Sequence, residues 1–158
     1  MTTNDEHSED HATLHRYYLR ASAIHEDMLT CAKAGDPEDA WLQGMGEEWI
    51  ALYRVDRFTM RLSTFYGLVY VVCEGFKALQ LTDPRLDEMF ADPLFDKLRR
   101  YRNAIFHFQR GFPVEEKHMD FFGDHDAPQF MQRLWNELNR WFSVNLVRPV
   151  LKAYDGEK

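Results

Sequence analysis

A short basic segment, residues 97–110, holds the side chains best suited to chemistry. It contains five Lys or Arg residues and no carboxylate, in a chain whose formal net charge is −7. Within it, Arg102 offers a planar fork of donors for phosphate, and His107 offers an imidazole that titrates near pH ~6.5. RNA can be cleaved without a metal ion because its 2′-hydroxyl is a built-in nucleophile, so that a base, an acid and nearby cations suffice. These residue types are suited to binding and cleaving a phosphodiester, and the candidate catalytic residues are Arg102, Asn103 and His107.

The apolar residues of this segment predict that it is a helix with one buried face. They recur at steps of four and three: Leu94, Leu98, Tyr101, Ile105 and Phe108. Residues five apart on a helix are separated by about 140° around its axis, so Arg102 and His107 of one chain do not point at the same spot. Either the last turn before Gly111 is loosened, or two chains pool two Arg and two His about a two-fold axis. The second arrangement would also supply a separate acid and base.

Other residues near the motif are candidates for binding and support. We expect Arg100, Tyr101 and Arg110 to bind RNA, with Tyr101 stacking on a base, although the helical spacing places at least two of Tyr101, Phe106 and Phe108 in the core. Glu74 interrupts an apolar helix, where a carboxylate is costly unless it is paired. Either Glu74 pairs with Lys77 or faces water, or it orients Arg102 or Arg99 from the neighbouring helix.

The segment Arg102–His107 reads R-N-x-x-x-H and resembles the Arg-x4-6-His signature of the HEPN superfamily. Members are small all-helical domains, and many are metal-independent ribonucleases of toxin–antitoxin, abortive-infection and other defence systems. The resemblance covers residues 47–151 in pattern and only the motif in specific residues. It implies RNA as substrate, a site shared across a homodimer, an antitoxin protein as a further partner and no cofactor. It also favours Glu74 as the residue that orients Arg102 or Arg99.

Two other interpretations of the same residues stay open. The first is a non-catalytic HEPN module that binds a nucleotide, RNA or a partner protein through the basic helix. The second is a structural dimeric bundle in which Arg102 pairs with Glu74 and His107 bonds a backbone carbonyl, with no ligand site.

The remaining chain predicts an all-α fold, an antiparallel bundle of four to five helices. Helical spacing and Gly, Asp and Pro boundary signals place helices at about residues 12–34, 47–80, 84–90, 93–110 and 128–148. The second helix is either continuous or bent near Val55 and Asp56. We predict a disordered acidic tail at residues 1–11, a single helical domain at 12–152 and a frayed end at 153–158.

The composition and the distribution of apolar residues and cysteines limit the classes of protein to which this chain can belong. Apolar residues make up 45% and aromatic residues 15% of 158 residues, enough for one real core. The most apolar run, residues 68–73, is far shorter than the ~20 residues that span a bilayer, and the acidic N-terminus lacks the apolar core of a secretion signal. Cys31 and Cys73 form no disulfide framework, and the histidine pair His11 and His15 lacks a third metal ligand. We expect a cytoplasmic protein with reduced thiols and without a metal site.

Overall fold

The computed structural model describes residues 3–34, 42, 44–106 and 120–147 of the chain. Its helices are α1 (Thr3–Ala34), α2 (Glu47–Ala78), α3 (Pro84–Ala91), α4 (Pro93–Phe106) and α5 (Ala127–Phe142), and a π-helical turn, Ser143–Val147, follows α5 directly. No strand occurs in these ranges. The predicted all-α helical bundle is confirmed.

The chain divides into two compact units, and the boundary between Val72 and Cys73 falls inside α2. In the first unit, α1 contacts α2 through an ion pair of Asp27 with Arg61, at 2.7 Å. The rings of His25 and Phe65 also lie 5.0 Å apart. α1 begins at Thr3 and not near Ala12, because polar residues can extend a helix beyond its apolar stripe.

Helix α2 is a single helix of 32 residues, without the break near Val55 that the sequence left open. The apolar spacing of α2 assigns one stripe to the helix, but the two halves of that stripe differ in burial. Trp49, Leu52 and Phe58 are exposed, whereas Phe65, Val69 and Val72 are buried. The reason is the spacing: steps of three residues turn steadily around the helix, so these side chains do not share one face.

In the second unit, α2 ends in a left-handed turn. Gln80 has φ of 54°, its N–H donates to the carbonyl of Lys77 at 3.0 Å, and the N–H of Leu81 donates to the carbonyl of Phe76 at 3.1 Å. This pair of bonds is the Schellman motif, which usually places glycine where Gln80 stands. Phe76 is fully buried and its ring meets that of Trp141 edge to face, with 5.0 Å between centroids.

Asp83 begins α3 and also ties it to α5. Its Oδ1 accepts hydrogen bonds from the backbone N–H groups of Arg85 and Leu86, at 3.1 and 3.2 Å, as predicted for an N-cap. The same oxygen accepts from Arg140 at 2.5 Å, and Arg140 also donates to Glu137 at 2.5 Å. Burial acts to raise the pKa of Asp83, but the bonds from Arg140, Leu86 and Arg85 outweigh it and hold the pKa below its usual value.

Within the described ranges, no helix is both long and apolar enough to cross a membrane. The division into an acidic tail, one domain at residues 12–152 and a frayed end stays a prediction.

Candidate functional site

Helix α4 carries the motif, and its start is fixed by a local cap. The Oδ1 of Asp92 accepts the backbone N–H of Leu94 at 2.9 Å, and Pro93 opens the helix. The buried face presents Phe95, Leu98 and Tyr101 to the core. The structure describes α4 as far as Phe106, so that His107 and Arg110 lie outside the described residues. Their predicted roles stay predictions.

Arg102 is held between two side chains. Its Nη2 lies 3.2 Å from the Oε2 of Glu74 on α2, and its Nη1 donates to the Oδ1 of Asn103 at 2.9 Å. The predicted contact between Glu74 and Arg102 is therefore present. Both partners remain accessible, with side chains 24% exposed for Arg102 and 46% for Glu74. A charge-assisted bond of this kind limits the directions in which the guanidinium can point.

The other two residues considered as partners of Glu74 make different contacts. Lys77 lies instead over the rings of Phe90 and Phe95, with Nζ at 4.8 and 4.3 Å from their centroids. Arg99 pairs with Asp96 on its own helix, where Nε and Nη2 both lie 2.9 Å from Oδ1. Arg99 is thus not the arginine that meets Glu74.

The basic face of α4 is matched by carboxylates that sequence reasoning missed. Lys97 contacts Asp124 at 2.7 Å and Asp120 at 3.6 Å. Arg100 contacts Asp120 at 2.9 Å and Asp96 at 3.3 Å. A hydrogen bond from Lys97 lowers the pKa of Asp124, and the same bond raises the pKa of Lys97.

The balance of charge on this face follows from those contacts. With the pairs of Arg99 and Arg102 included, four cations of α4 face four carboxylates: Glu74, Asp96, Asp120 and Asp124. Asp96 could have been found from its i, i+3 and i, i+4 spacing to Arg99 and Arg100. Asp120 and Asp124 reach α4 only through the tertiary fold, so no local pattern predicts them.

Tyr101 requires a correction. It was expected to stack on a base, but its side chain is fully buried. Its ring lies 5.5 and 5.8 Å from the rings of Phe121 and Phe122. Tyr101 therefore belongs to the buried apolar face of α4 and to the core, and it is not placed to stack on a base. Phe106, at 51% exposed, is the aromatic side chain of described α4 that solvent reaches.

In the described ranges, no group of three or more His, Cys, Asp or Glu side chains is placed to hold a metal ion. The chain was also compared with protein-family models, with curated proteins and with solved structures. None of them matches it.

Proposed function

We propose that this protein is a metal-independent endoribonuclease of HEPN type that acts as a toxin or defence effector. Arg102 and His107 are its central residues, and the site is shared across a homodimer. The observation that supports this proposal is the Glu74–Arg102–Asn103 arrangement, which presents a partly exposed guanidinium on α4. A phosphate-binding group that is oriented before substrate arrives loses less freedom on binding.

Each residue has one task in the proposed reaction. The guanidinium of Arg102 binds the scissile phosphate and stabilises the charge that develops on it. One copy of His107 takes the proton of the 2′-hydroxyl, whose oxygen attacks phosphorus, and the other copy gives a proton to the departing 5′-oxygen. The products carry a 2′,3′-cyclic phosphate and a 5′-hydroxyl. Asn103 accepts a bond from Arg102 through Oδ1 and thereby positions it, while its NH2 group is the donor for a phosphate oxygen.

The test is cleavage of labelled RNA in EDTA by the purified full chain, with identification of the product ends. Cleavage that leaves 2′,3′-cyclic phosphates supports the proposal. His107→Ala should abolish cutting but leave RNA binding in place. Arg102→Ala should weaken both, by at least about 100-fold in cutting, because a transition-state contact is lost.

A matched control removes the same charge elsewhere. Arg133 is on α5, with its side chain 63% exposed, and lies 3.9 Å from Asp92. Arg133→Ala should cut RNA at the wild-type rate.

Glu74→Gln should lower the rate of cutting by about 10-fold, because the amide oxygen still accepts a bond from Arg102 but no longer fixes the guanidinium by charge. RNA that stays intact with wild-type protein would refute the enzyme proposal.

The balanced charge on α4 favours a second candidate function. A helix whose Lys97 and Arg100 already contact Asp120 is a weaker attractor of phosphate than its sequence suggests. This counts against a catalytic phosphate site and favours a non-catalytic HEPN module; of the ligands expected for such a module (a nucleotide, RNA or a partner protein), the partner protein depends least on unpaired positive charge. Intact RNA that is nonetheless bound, with an affinity that falls as salt rises, would favour this candidate.

A further inference from the structure

The last turn of α4 carries an exposed aromatic ring. Phe106 is 51% exposed, whereas Phe95, three turns earlier and about 20° away around the helix axis, is buried. The ring of Phe90 lies 5.0 Å from that of Phe95, and the Nζ of Lys77 lies 4.3 Å from the Phe95 centroid. This side of α4 is therefore covered at the start of the helix and open at its end.

Phe106 shares its side of the helix with polar groups of the candidate site. Arg102 and Asn103 precede it by four and three residues, the spacings at which side chains on a helix are neighbours. Arg99, seven residues earlier, lies about 20° from Phe106 around the axis. The side chains of Arg99, Arg102, Asn103 and Phe106 thus occupy a sector of about 100°. A nucleic-acid strand that follows this sector meets the ring and both guanidinium groups.

Two other cations of α4 lie on a different side of the helix. Lys97 is about 180° and Arg100 about 120° from Phe106 around the axis. They contact Asp124 and Asp120, at 2.7 and 2.9 Å respectively. Because these carboxylates already meet the cations on that side, the side that carries Phe106 is the better one for binding RNA.

Arg99 can turn to a phosphate at little cost. It pairs with Asp96 of its own helix, and the two side chains are 48% and 58% exposed. Ion pairs between exposed side chains contribute little to stability. Asp96 also contacts Arg100, at 3.3 Å, and keeps that partner when Arg99 leaves.

We propose that Phe106 is a stacking platform for one unpaired base of the RNA whose phosphate Arg102 binds, an assignment that rests on the proposed function. An aromatic ring stacks on the π-face of any base, so this contact does not select a sequence. It selects unpaired RNA, because bases within a duplex are stacked on one another and only splayed bases can reach a protein ring. The substrate class is therefore single-stranded RNA or a loop, cut next to the stacked base.

The test is the affinity of the full chain for a labelled single-stranded RNA with 2′-fluoro groups, which cannot be cut because the 2′-hydroxyl is absent. Phe106→Ala and Phe106→Leu should each weaken binding about 10-fold, since neither side chain has a π-face. Phe106→Tyr keeps the ring and should bind as the wild type does. Phe58→Ala changes a phenylalanine of α2 that is 49% exposed, and it should leave the affinity unchanged.

Salt separates the loss of the ring from the loss of a charge. Phe106→Ala should weaken binding by the same factor at every salt concentration, because no phosphate contact is removed. Arg99→Ala should instead reduce the slope of log affinity against log salt by about one.

An abasic scan identifies the stacked base. One base at a time is replaced by an abasic residue, and one position should weaken wild-type binding about 10-fold. The same replacement should have no further effect in Phe106→Ala, because its partner is already missing. Duplex RNA of the same sequence should bind the wild type and Phe106→Ala equally.

The outcomes distinguish the stacking role from the proposed function. Equal affinities of wild type and Phe106→Ala for single-stranded RNA would overturn the stacking role and leave the proposed ribonuclease standing. An abasic effect that persists undiminished in Phe106→Ala would do the same. Wild-type protein that binds no RNA would overturn both.

Discussion

Removal of the Asp83 carboxylate is the perturbation whose cost follows most directly from the structure. In Asp83→Ala, the N-cap of α3 loses its acceptor, which costs about 1 kcal/mol. The variant also loses the bond from Arg140, a charge-assisted contact of two largely buried side chains, 15% and 33% exposed. Such a bond is worth about 1.5 kcal/mol at the lower end of the usual range, and Arg140 keeps Glu137. The free energy of unfolding should therefore fall by about 2.5 kcal/mol, with a decrease in Tm of about 7 °C.

Asp83→Asn separates the two contributions. Asparagine caps a helix as well as aspartate does, so only the charge-assisted bond should be lost, at about 1.5 kcal/mol. A double-mutant cycle with Arg140→Ala should then give a coupling energy of about 1.5 kcal/mol. Hydrogen exchange adds a local measurement, because the N–H groups of Arg85 and Leu86 donate to Asp83 and should lose protection in Asp83→Ala but not in Asp83→Asn.

The pH dependence of this difference has a defined sign. The pKa of Asp83 is lowered in the folded state, so its contribution is complete above the unfolded value of ~3.9 and is lost as pH falls through the folded pKa. The gap in Tm between wild type and Asp83→Asn should accordingly close on acidification below about pH 4. A gap that is constant with pH, or an Asp83→Ala variant as stable as wild type, would refute the assignment.

Three further predictions concern other parts of the second unit. Gln80→Gly should raise the free energy of unfolding by about 0.5–1 kcal/mol in urea titrations, because glycine adopts the positive φ without steric cost. Tyr101→Ala should lower it by about 3–5 kcal/mol as a loss of buried aromatic volume, whereas a surface position would tolerate the change within about 0.5 kcal/mol. Asp120→Asn combined with Asp124→Asn should tighten RNA binding about 10-fold and steepen its salt dependence. In the wild type, both carboxylates compete with phosphate for the cations of α4. Asp87→Asn combined with Asp126→Asn, an equal change of charge at two other exposed carboxylates, should leave RNA affinity unchanged.

Local signals in the sequence predicted the starts of α3 and α4. Asp83 and Asp92 stand before prolines and form the expected side-chain bonds to backbone N–H groups. The left-handed turn at Gln80 could not be predicted, because glutamine has no preference for that conformation. Its hydrogen bonds are imposed by packing of the buried Phe76 at the end of α2.

The candidate site was predictable in part. The contact between Glu74 and Arg102 was among the expected alternatives, since a carboxylate in an apolar helix requires a partner. The fate of Tyr101 was ambiguous, because the same residue completes the apolar stripe and adjoins the basic residues. The neutralisation of α4 by Asp120 and Asp124 depends on a chain reversal that no local pattern encodes.

The burial of Cys73 makes the rate of its chemical labelling a measure of how often the surrounding structure opens. The thiol is inaccessible to solvent, and burial is the largest cause that raises its pKa far above the ordinary value. A thiol-specific reagent should therefore label Cys31 promptly, while Cys73 waits for the surrounding helices to part. The lag between the two labelling reactions, followed by mass spectrometry, measures how often that part of the folded chain exposes its interior.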